Sequence, residues 1–375
     1  MDVTKVGTVC KQLHLLPPII YCIILSIKHV CAYTNFGRNF IMNIYDISKQ
    51  AGVSIATVSR VLNGSDKVSP STREKVLQVI EQNSYTPNAF ARSLGLNSMH
   101  TVGILCADSS DVYLASAIYY LERELRQNSY ASMLCCTGYH LEEKKKYLQL
   151  LLSRNVDALF FAGSNFVEDT EKNNAYLFEA AGKVPVFILN GYLAGDRIYS
   201  VLCDDRLAVN EMTESLFRRG SHAPVYLYRS LSYSGRKKIA GFREACIKNG
   251  ITDADKRIFA SPVSVHETAA FLDALEKEGL SFDACVTSDD ELAVGAVKFA
   301  LSHGRRIPDE FQVTGYNNSL ISTCSTPEIT TVDNRVEFMC TTAVSLLMQA
   351  LDGKNIPART VFSGDIIQRE TTNVF

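Results

Sequence analysis

The sequence contains no tryptophan, no Cys-x-x-Cys pair and no large excess of either charge. Its 375 residues include 38 lysines and arginines against 40 aspartates and glutamates, for a formal net charge of −2. None of its 11 cysteines forms a Cys/His cluster with the spacing of a zinc site. A Gly-x-Ser-x-Gly elbow and a phosphate-binding loop are also absent, which argues against the enzymes that depend on them. We therefore expect no enzyme activity, no metal and no cofactor.

The cysteines themselves indicate a cellular compartment. Cys106, Cys203 and Cys285 lie in or beside predicted strands, and Cys135 and Cys136 are adjacent within an apolar run. Buried thiols that pack as small apolar side chains are the simplest interpretation. Because reduced cysteines are typical of the cytosol, we expect a cytoplasmic protein.

The first 41 residues differ in character from the rest of the chain. Leu13–Ile27 is apolar, but it is shorter than the roughly 20 residues that a membrane-spanning helix needs, and a proline pair interrupts it. It only partly resembles the apolar region of a signal peptide. We expect residues 1–41 to be an extension that is disordered or lies upstream of the true start at Met42, and we expect no association with a membrane.

Residues 44–87 carry the pattern that best predicts a function. Apolar spacing predicts a short helix that ends at Ala51, a tight turn at Gly52–Ser54, and a second helix over Ile55–Leu62. A third helix is predicted after Ser69. This is a helix-turn-helix pattern, whose second helix enters the major groove of DNA.

This segment resembles the DNA-binding headpiece of the LacI/GalR family of bacterial repressors. AGVSIATVSRVLN at residues 51–63 follows the family motif, and YTPNAFARSL at residues 85–94 follows its YxPNxxARxL signature at the right distance. The resemblance implies that residues 42–87 are a DNA-binding headpiece. Residues 42–99 carry six basic and four acidic side chains, so one headpiece has little charge with which to bind DNA. We therefore expect a homodimer on a palindromic double-stranded operator.

The second helix supplies most of the candidate DNA contacts. Ile55 and Ala56 suit thymine methyls, so the polar reading of base edges falls mainly to Arg60. Short hydroxyls suit phosphate oxygens, although each could instead be a helix N-cap. The candidate major-groove residues are Ile55, Ala56, Arg60, Asn63 and Lys67, and the candidate phosphate contacts are Ser54, Thr57, Ser59 and Ser69.

Residues 88–99 are predicted to form a hinge. The segment is too short to be a stable helix alone, so a plain linker is the alternative interpretation. The resemblance implies a hinge helix that folds on DNA and places Asn88, Ala91 and Leu94 in the minor groove, with Leu94 inserted between base pairs. Gly95 replaces the alanine usual in the family and weakens such a helix by about 0.8–1.0 kcal/mol.

The remainder of the chain, residues 100–375, alternates short apolar strands with amphipathic helices. This rhythm predicts parallel sheets with right-handed crossovers, and its restart at Ser221 predicts two lobes. The core resembles the periplasmic-binding-protein-like sensor of the same family. The predicted fold class is a small all-α headpiece followed by a two-lobed α/β core. We expect lobe 1 to comprise about 100–198 and 308–331, and lobe 2 about 199–307 and 332–375.

In such a core the ligand lies in the cleft beyond the carboxyl ends of the strands. The resemblance places Asp290, in SDDELAVGA, and Arg236, in SGRKKIAGF, at the effector. These groups suit the hydroxyls and ring oxygens of a sugar or a nucleoside-like ligand. The alternatives are a helix N-cap for Asp290 and a surface charge for Arg236. The weaker effector-binding candidates are Asp108, Asn190 and Tyr113.

Two departures from the family leave the effector open. Without tryptophan, a tyrosine such as Tyr233 must provide any aromatic platform for a sugar, and Asn317 replaces an aspartate common in the family. We predict a sequence-specific transcriptional repressor whose operator affinity is controlled by a small molecule, with a carbohydrate favoured. A solute-binding protein with a vestigial headpiece, a membrane-tethered regulator and an enzyme on a doubly wound fold are the alternatives.

Overall fold

The computed structural model describes residues 42–62, 64–83, 85, 98–261 and 264–373. The chain divides into two compact units, the first ending at Leu96 and the second beginning at Asn97. The predictions for residues 1–41, for Asn63 and for the hinge residues Asn88, Ala91 and Leu94 lie outside the described residues.

The headpiece contains the three predicted helices. They are α1 (Ile44–Ala51), α2 (Ile55–Leu62) and α3 (Pro70–Gln82). Their apolar faces meet in a small core of Ile47, Ala51, Val58, Val61, Val76 and Tyr85. The helix-turn-helix pattern is thereby confirmed.

Local chemistry fixes the ends of α1. The Asn43 side chain accepts hydrogen bonds from the backbone N–H groups of Tyr45 and Asp46, and the Asp46 carboxylate accepts one from the N–H of Asn43. This capping box satisfies N–H groups that the helix cannot. At the other end Gly52 has φ 62°, a left-handed conformation that glycine adopts without a steric penalty. These two features set the tight turn into α2.

The second unit consists of two lobes, each built on a six-stranded, mainly parallel sheet. The strands are β1 (Thr101–Cys106), β2 (Ala131–Cys136), β3 (Ala158–Ala162), β4 (Val186–Leu189), β5 (Ile198–Cys203), β6 (Pro224–Tyr228), β7 (Ile258–Ala260), β8 (Ala284–Thr287), β9 (Gln312–Tyr316), β10 (Thr330–Asp333), β11 (Arg359–Phe362) and β12 (Asp365–Ile367). The sheet of lobe 1 has the order β11-β5-β4-β3-β1-β2, and that of lobe 2 has the order β12-β10-β9-β8-β6-β7. The central strand β3 is buried along its whole length, as expected for a parallel sheet covered on both faces.

Helices connect these strands and cover the sheets. Short 3₁₀ turns occupy Ser164–Phe166, Lys172–Asn174 and Ala254–Arg257. The helices are α4 (Val112–Gln127), α5 (Leu141–Ser153), α6 (Ala175–Ala181), α7 (Asp205–Arg218), α8 (Tyr233–Lys248), α9 (Val265–Lys277), α10 (Asp290–Ser302), α11 (Leu320–Cys324) and α12 (Val336–Leu351). None of the helices in the described part of the chain combines the length and the apolar character needed to cross a membrane.

The division into lobes differs from the predicted one at three places. Strand β5 pairs with β4 and so belongs to lobe 1. Strands β9 and β10 lie in the sheet of lobe 2, although residues 308–331 were predicted in lobe 1. Helix α12 packs on α4, and β11 pairs with β5, so both belong to lobe 1 rather than lobe 2. The chain crosses between the lobes three times. The spacing of strands along the sequence does not show which sheet a strand near the C-terminal end joins.

Candidate DNA-binding surface and effector cleft

Helix α2 separates an apolar face from an exposed one. Val58 and Val61 are buried in the headpiece core, whereas Ile55, Ala56 and Arg60 are exposed. Lys67 is also exposed, in the segment between α2 and α3. The predicted base-reading side chains that the structure describes are therefore accessible to a ligand.

The predicted phosphate contacts have local partners. The Ser54 hydroxyl lies 2.9 Å from that of Thr57 and accepts the Thr57 N–H at 3.1 Å. Ser69 is the N-cap of α3 and accepts the N–H of Thr72 at 3.4 Å. Ser59 is partly exposed on α2. Ser54 and Ser69 thus have the capping geometry that was the alternative interpretation, and Thr57 is the residue whose N–H group Ser54 accepts. The contact of all three with phosphate stays a prediction.

The lobes of the second unit meet at a cleft with two adjoining chambers. The inner chamber has a volume of about 110 Å³ and the outer chamber about 760 Å³, and both are lined by Asp111, Asn165, Arg229 and Ser230. The inner chamber is also lined by Tyr113, Ser164, Asn190, Ser232, Lys238, Asp289 and Asn317. The outer chamber is also lined by Asp108, Ser110, Tyr139, Ser264, Val265 and Glu291.

Arg229 is a cation that lines both chambers. Its guanidinium contacts the Asp289 carboxylate at 2.9 and 3.2 Å and the Glu291 carboxylate at 2.5 Å. All three side chains are less than one-quarter exposed, so water screens this network only partly. The network holds two carboxylates of lobe 2 beside the cleft.

Lys238 is a buried cation at the wall of the inner chamber. Its Nζ lies 3.5 Å from the centre of the Tyr316 ring and donates to the Ser288 carbonyl at 2.9 Å. Burial lowers the pKa of Lys238, and the nearby Asp205 carboxylate opposes that shift. Burial likewise raises the pKa of Asp205, which accepts a hydrogen bond from the Tyr316 hydroxyl at 2.5 Å. Buried titratable side chains of lobe 2 therefore lie behind this wall of the chamber.

Three predicted effector residues line the cleft. The Asn190 amide donates to the Tyr113 hydroxyl at 2.8 Å, and both side chains belong to the inner chamber. Burial raises the pKa of Tyr113 well above its usual value, so this hydroxyl stays protonated. Asp108 lies in the outer chamber and accepts the N–H and hydroxyl of Ser110 at 2.8 and 2.7 Å. These bonds lower the pKa of Asp108 and keep it ionised.

Asp290 does not lie in the lining of either chamber. Its carboxylate is buried inside lobe 2, where it accepts hydrogen bonds from the N–H and hydroxyl of Ser319 at 2.7 Å and from the Thr331 hydroxyl at 2.6 Å. The preceding Asp289 is both the N-cap of α10 and the residue that lines the inner chamber. Two consecutive residues at a helix start point about 100° apart, so Asp289 faces the inner chamber while Asp290 faces the interior of lobe 2. The contact of Asp290 with an effector stays a prediction.

Arg236, the other main effector-binding candidate, does not line a chamber either, and its contact with an effector stays a prediction. Its side chain is 41 % exposed, lies outside the lining of both chambers, and pairs with Asp169 of lobe 1 at 2.5 Å. Lys238, two residues further along α8, reaches the inner chamber instead. Two residues rotate a helix by about 200°, so the cation of this motif that reaches the inner chamber is the buried Lys238.

Residues of the inner chamber that the prediction did not name as effector candidates include Arg229, Lys238, Asp289 and Asn317. Lys238 and Asp289 lie inside the two motifs used to choose Arg236 and Asp290, and Asn317 was noted only as a departure from the family. Arg229 directly follows β6, and that position at the carboxyl end of a strand was the signal that could have identified it.

Comparisons with known proteins agree with this architecture. The model of bacterial regulatory proteins of the lacI family matches residues 43–88, and the periplasmic binding protein-like domain matches residues 213–372. An HTH-type transcriptional regulator of Lachnoclostridium phytofermentans is 50% identical over 332 residues, which cover 88% of this chain and 100% of the relative.

The chain belongs to the LacI family. Two solved structures share the fold of this family member. The lac repressor dimer bound to operator and an anti-inducer has a TM-score of 0.79 at 23% identity and covers 89% of this chain and 99% of its own. The transcriptional regulator CelR in complex with cellobiose has a TM-score of 0.64 at 22% identity, covering 88% and 99%.

The predicted family and fold class are thereby confirmed, and this LacI-family protein is a DNA-binding transcriptional regulator. A solute-binding protein with a vestigial headpiece is not favoured, because the chain is 50% identical to an HTH-type transcriptional regulator over the whole length of that relative. Its relatives are regulators rather than enzymes.

Proposed function

We propose that this LacI-family regulator is a repressor whose operator affinity is controlled by an uncharged, hydroxyl-rich molecule, with a carbohydrate as the favoured class. One observation carries the proposal: hydrogen-bonding side chains from both lobes converge on one cleft, Asn190 and Tyr113 from lobe 1 and Asp289 and Asn317 from lobe 2. Carboxylates and amides supply the acceptors and donors that sugar hydroxyls need. The cellobiose complex of a regulator with the same fold makes sugars the first class to test.

The charges of the cleft favour a neutral ligand over a phosphorylated one. Four carboxylates line the two chambers, from Asp108, Asp111, Asp289 and Glu291, whereas Arg229 and Lys238 are the cations in those linings. Arg229 already contacts two of the carboxylates, and Lys238 faces Asp205. A phosphate would have to displace these partners and would meet the surplus of negative charge.

For the DNA-binding part, we infer that residues 42–87 act as the headpiece and residues 88–99 as the hinge. A homodimer would place two copies of α2 in successive major grooves of a palindromic operator. The exposure of Ile55, Ala56 and Arg60 on one side of α2 supports this arrangement. The ligand would act by binding one arrangement of the lobes more tightly than another, which changes operator affinity by linkage.

The experiment compares two neighbouring carboxylates. Full-length protein would be screened by thermal shift against neutral sugars, sugar phosphates and nucleosides, and the best ligand would then be titrated into an operator-binding assay. Asp289→Asn should abolish the response of operator binding, because it removes an acceptor at the chamber and a partner of Arg229. The matched variant Asp290→Asn should keep the response. A response lost in Asp290→Asn but kept in Asp289→Asn, or a preference for a sugar phosphate, would refute the proposal.

A further inference from the structure

The carboxyl ends of β1 and β2 place two cysteines side by side. The two strands are parallel neighbours, and their register pairs Cys106 directly with Cys136. The two sulfur atoms lie 3.5 Å apart. Strand β2 is at the edge of the lobe 1 sheet, so this pair is at the margin of the lobe.

The backbone geometry is compatible with a disulfide between these residues. Neighbouring strands lie about 4.7–4.9 Å apart, and disulfides join Cα atoms about 4.4–6.8 Å apart. Bond formation would therefore need side-chain rotation rather than movement of the strands. Cys135 does not compete for Cys106, because successive strand residues point to opposite faces and Cys135 packs in the core beside Leu105.

The two thiols differ in accessibility. Cys136 is exposed, whereas Cys106 is fully buried in the sheet. Burial and the neighbouring Cys136 raise the pKa of the Cys106 thiol to about 12, so the exposed Cys136 is the thiol expected to react first. An exposed first cysteine and an adjacent resolving cysteine are the arrangement of a peroxide-sensitive pair.

We propose that Cys106 and Cys136 form a reversible intramolecular disulfide when the protein meets hydrogen peroxide. Cys136 attacks the peroxide oxygen to give a sulfenic acid and one water. Cys106 then attacks that sulfur, which forms the S–S bond and releases a second water. Two thiols lose two electrons and two protons, and hydrogen peroxide is reduced to two waters. A dithiol reductant reverses the bond by thiol–disulfide exchange.

The position of the pair connects it to the cleft. Strand β1 leads into Asp108 and strand β2 leads towards Tyr139, and both residues line the outer chamber. The N–H of Thr137 bonds to the Cys106 carbonyl and that of Gly138 to the Ala107 carbonyl, each within 2.9 Å, so the two segments already run side by side. We expect the disulfide to change ligand affinity by fixing the rim of the chamber, an effect that rests on the proposed function.

The test uses reduced full-length protein titrated with hydrogen peroxide, followed by peptide mass mapping and non-reducing gels. The expected product is one linked peptide containing Cys106 and Cys136, lighter by two hydrogens and restored by dithiothreitol. Cys136→Ser should leave Cys106 reduced, and Cys106→Ala should let Cys136 proceed to a sulfinic acid. Cys324→Ser is the control, because Cys324 is the other exposed cysteine of the described residues; this variant should oxidise like the parent.

The mapping of the parent protein decides the proposal even if a variant fails to fold. Oxidation of Cys136 to a sulfinic acid with Cys106 still reduced would overturn the proposal. So would a disulfide between two chains, seen as a band of doubled mass. If the linked peptide forms but the affinity for the best sugar of the thermal-shift screen is unchanged, the disulfide stands and its regulatory role is overturned. The mass readout is independent of whether any sugar binds.

Discussion

At the scale of single residues, Asp290 shows how burial turns a polar side chain into a structural element. Its carboxylate accepts three hydrogen bonds and lies where a Cβ on Gly315 would come within 2.2 Å of Oδ1. Any side chain at position 315 would therefore collide with the carboxylate. Burial raises the pKa of Asp290 from 3.8 to about 6, although the three hydrogen bonds oppose the shift.

This raised pKa predicts a specific pH dependence of stability. In the folded protein Asp290 holds its proton up to about pH 6, whereas in the unfolded chain it loses it near pH 3.8. Between these values the folded state binds more protons, so the free energy of unfolding decreases as pH rises, by on the order of 3 kcal/mol for this group. Urea unfolding from pH 4 to 7 should show this decrease in the parent and a smaller one in Asp290→Asn. Identical pH profiles of the two proteins would contradict the assignment.

At the scale of elements, rotation around a helix decides which member of a motif meets a ligand. Helix α8 directs Arg236 to the surface and Lys238 to the inner chamber, and α2 buries Val58 while exposing Arg60. The amphipathic pattern of α2 is clear in the sequence because the core against which it packs is small and is formed by residues nearby in the chain. That of α8 is not, because both of its faces carry basic residues.

For α2 we predict a loss of sequence discrimination in Arg60→Ala. The variant should weaken binding to the selected operator by about 1–3 kcal/mol and leave binding to random duplex nearly unchanged, because base contacts specify and phosphate contacts only position. Lys75→Ala, which removes an exposed cation from α3, is the control. Competition binding with operator and random DNA measures both affinities. An equal loss on both duplexes in Arg60→Ala would argue against base reading.

At the scale of the whole molecule, three segments join the lobes of the core. The chain crosses from one lobe to the other after β5, after β10 and between β11 and β12. A Cβ on Gly364 would lie 3.1 Å from the Asp333 carbonyl and 3.3 Å from the Cys203 sulfur, so the three crossing segments meet at this glycine. Arg335 pairs with Asp365 at 2.5 Å and joins two of these segments. The lobes also contact each other through Ser164 and Ser232, whose hydroxyls are 2.9 Å apart.

Crowding at the crossovers predicts that Gly364→Ala destabilises the core. Overpacking of this kind costs about 1–3 kcal/mol. The control is Gly182→Ala, where the added methyl would make only ordinary contacts at 3.5 and 3.7 Å. Chemical unfolding of the two variants should therefore give a clear loss for Gly364→Ala and little change for Gly182→Ala. Equal stability of the two variants would show that the segments can move apart at no cost.

The ion pair between Asp169 and Arg236 should contribute only weakly to ligand binding. Its side chains are 75 % and 41 % exposed, and such pairs contribute about 0.2–1 kcal/mol. Arg236→Ala should therefore reduce ligand affinity by less than about tenfold, and Asp169→Asn should have a similar effect that does not add to it. Lys238→Met should reduce affinity much more. Calorimetric titration of the parent, the three single variants and the double variant Arg236→Ala/Asp169→Asn measures these effects. Complete loss of binding in Arg236→Ala would instead show a direct ligand contact.

The sequence by itself determined the three helices of the headpiece, the alternating strands and helices of the core, and the family, because these depend on local periodicity and on motifs read in order. Only the tertiary structure decided the membership of the lobes and the identity of the cleft residues. Strands β11 and β12 follow one another closely along the chain, yet they join different sheets. Asp289 and Asp290 have the same chemistry and adjacent positions, yet Asp289 lines the inner chamber and Asp290 is hydrogen-bonded inside lobe 2. The rotation of the helix and the packing of residues distant in the chain make that distinction, and neither can be predicted from the local sequence pattern.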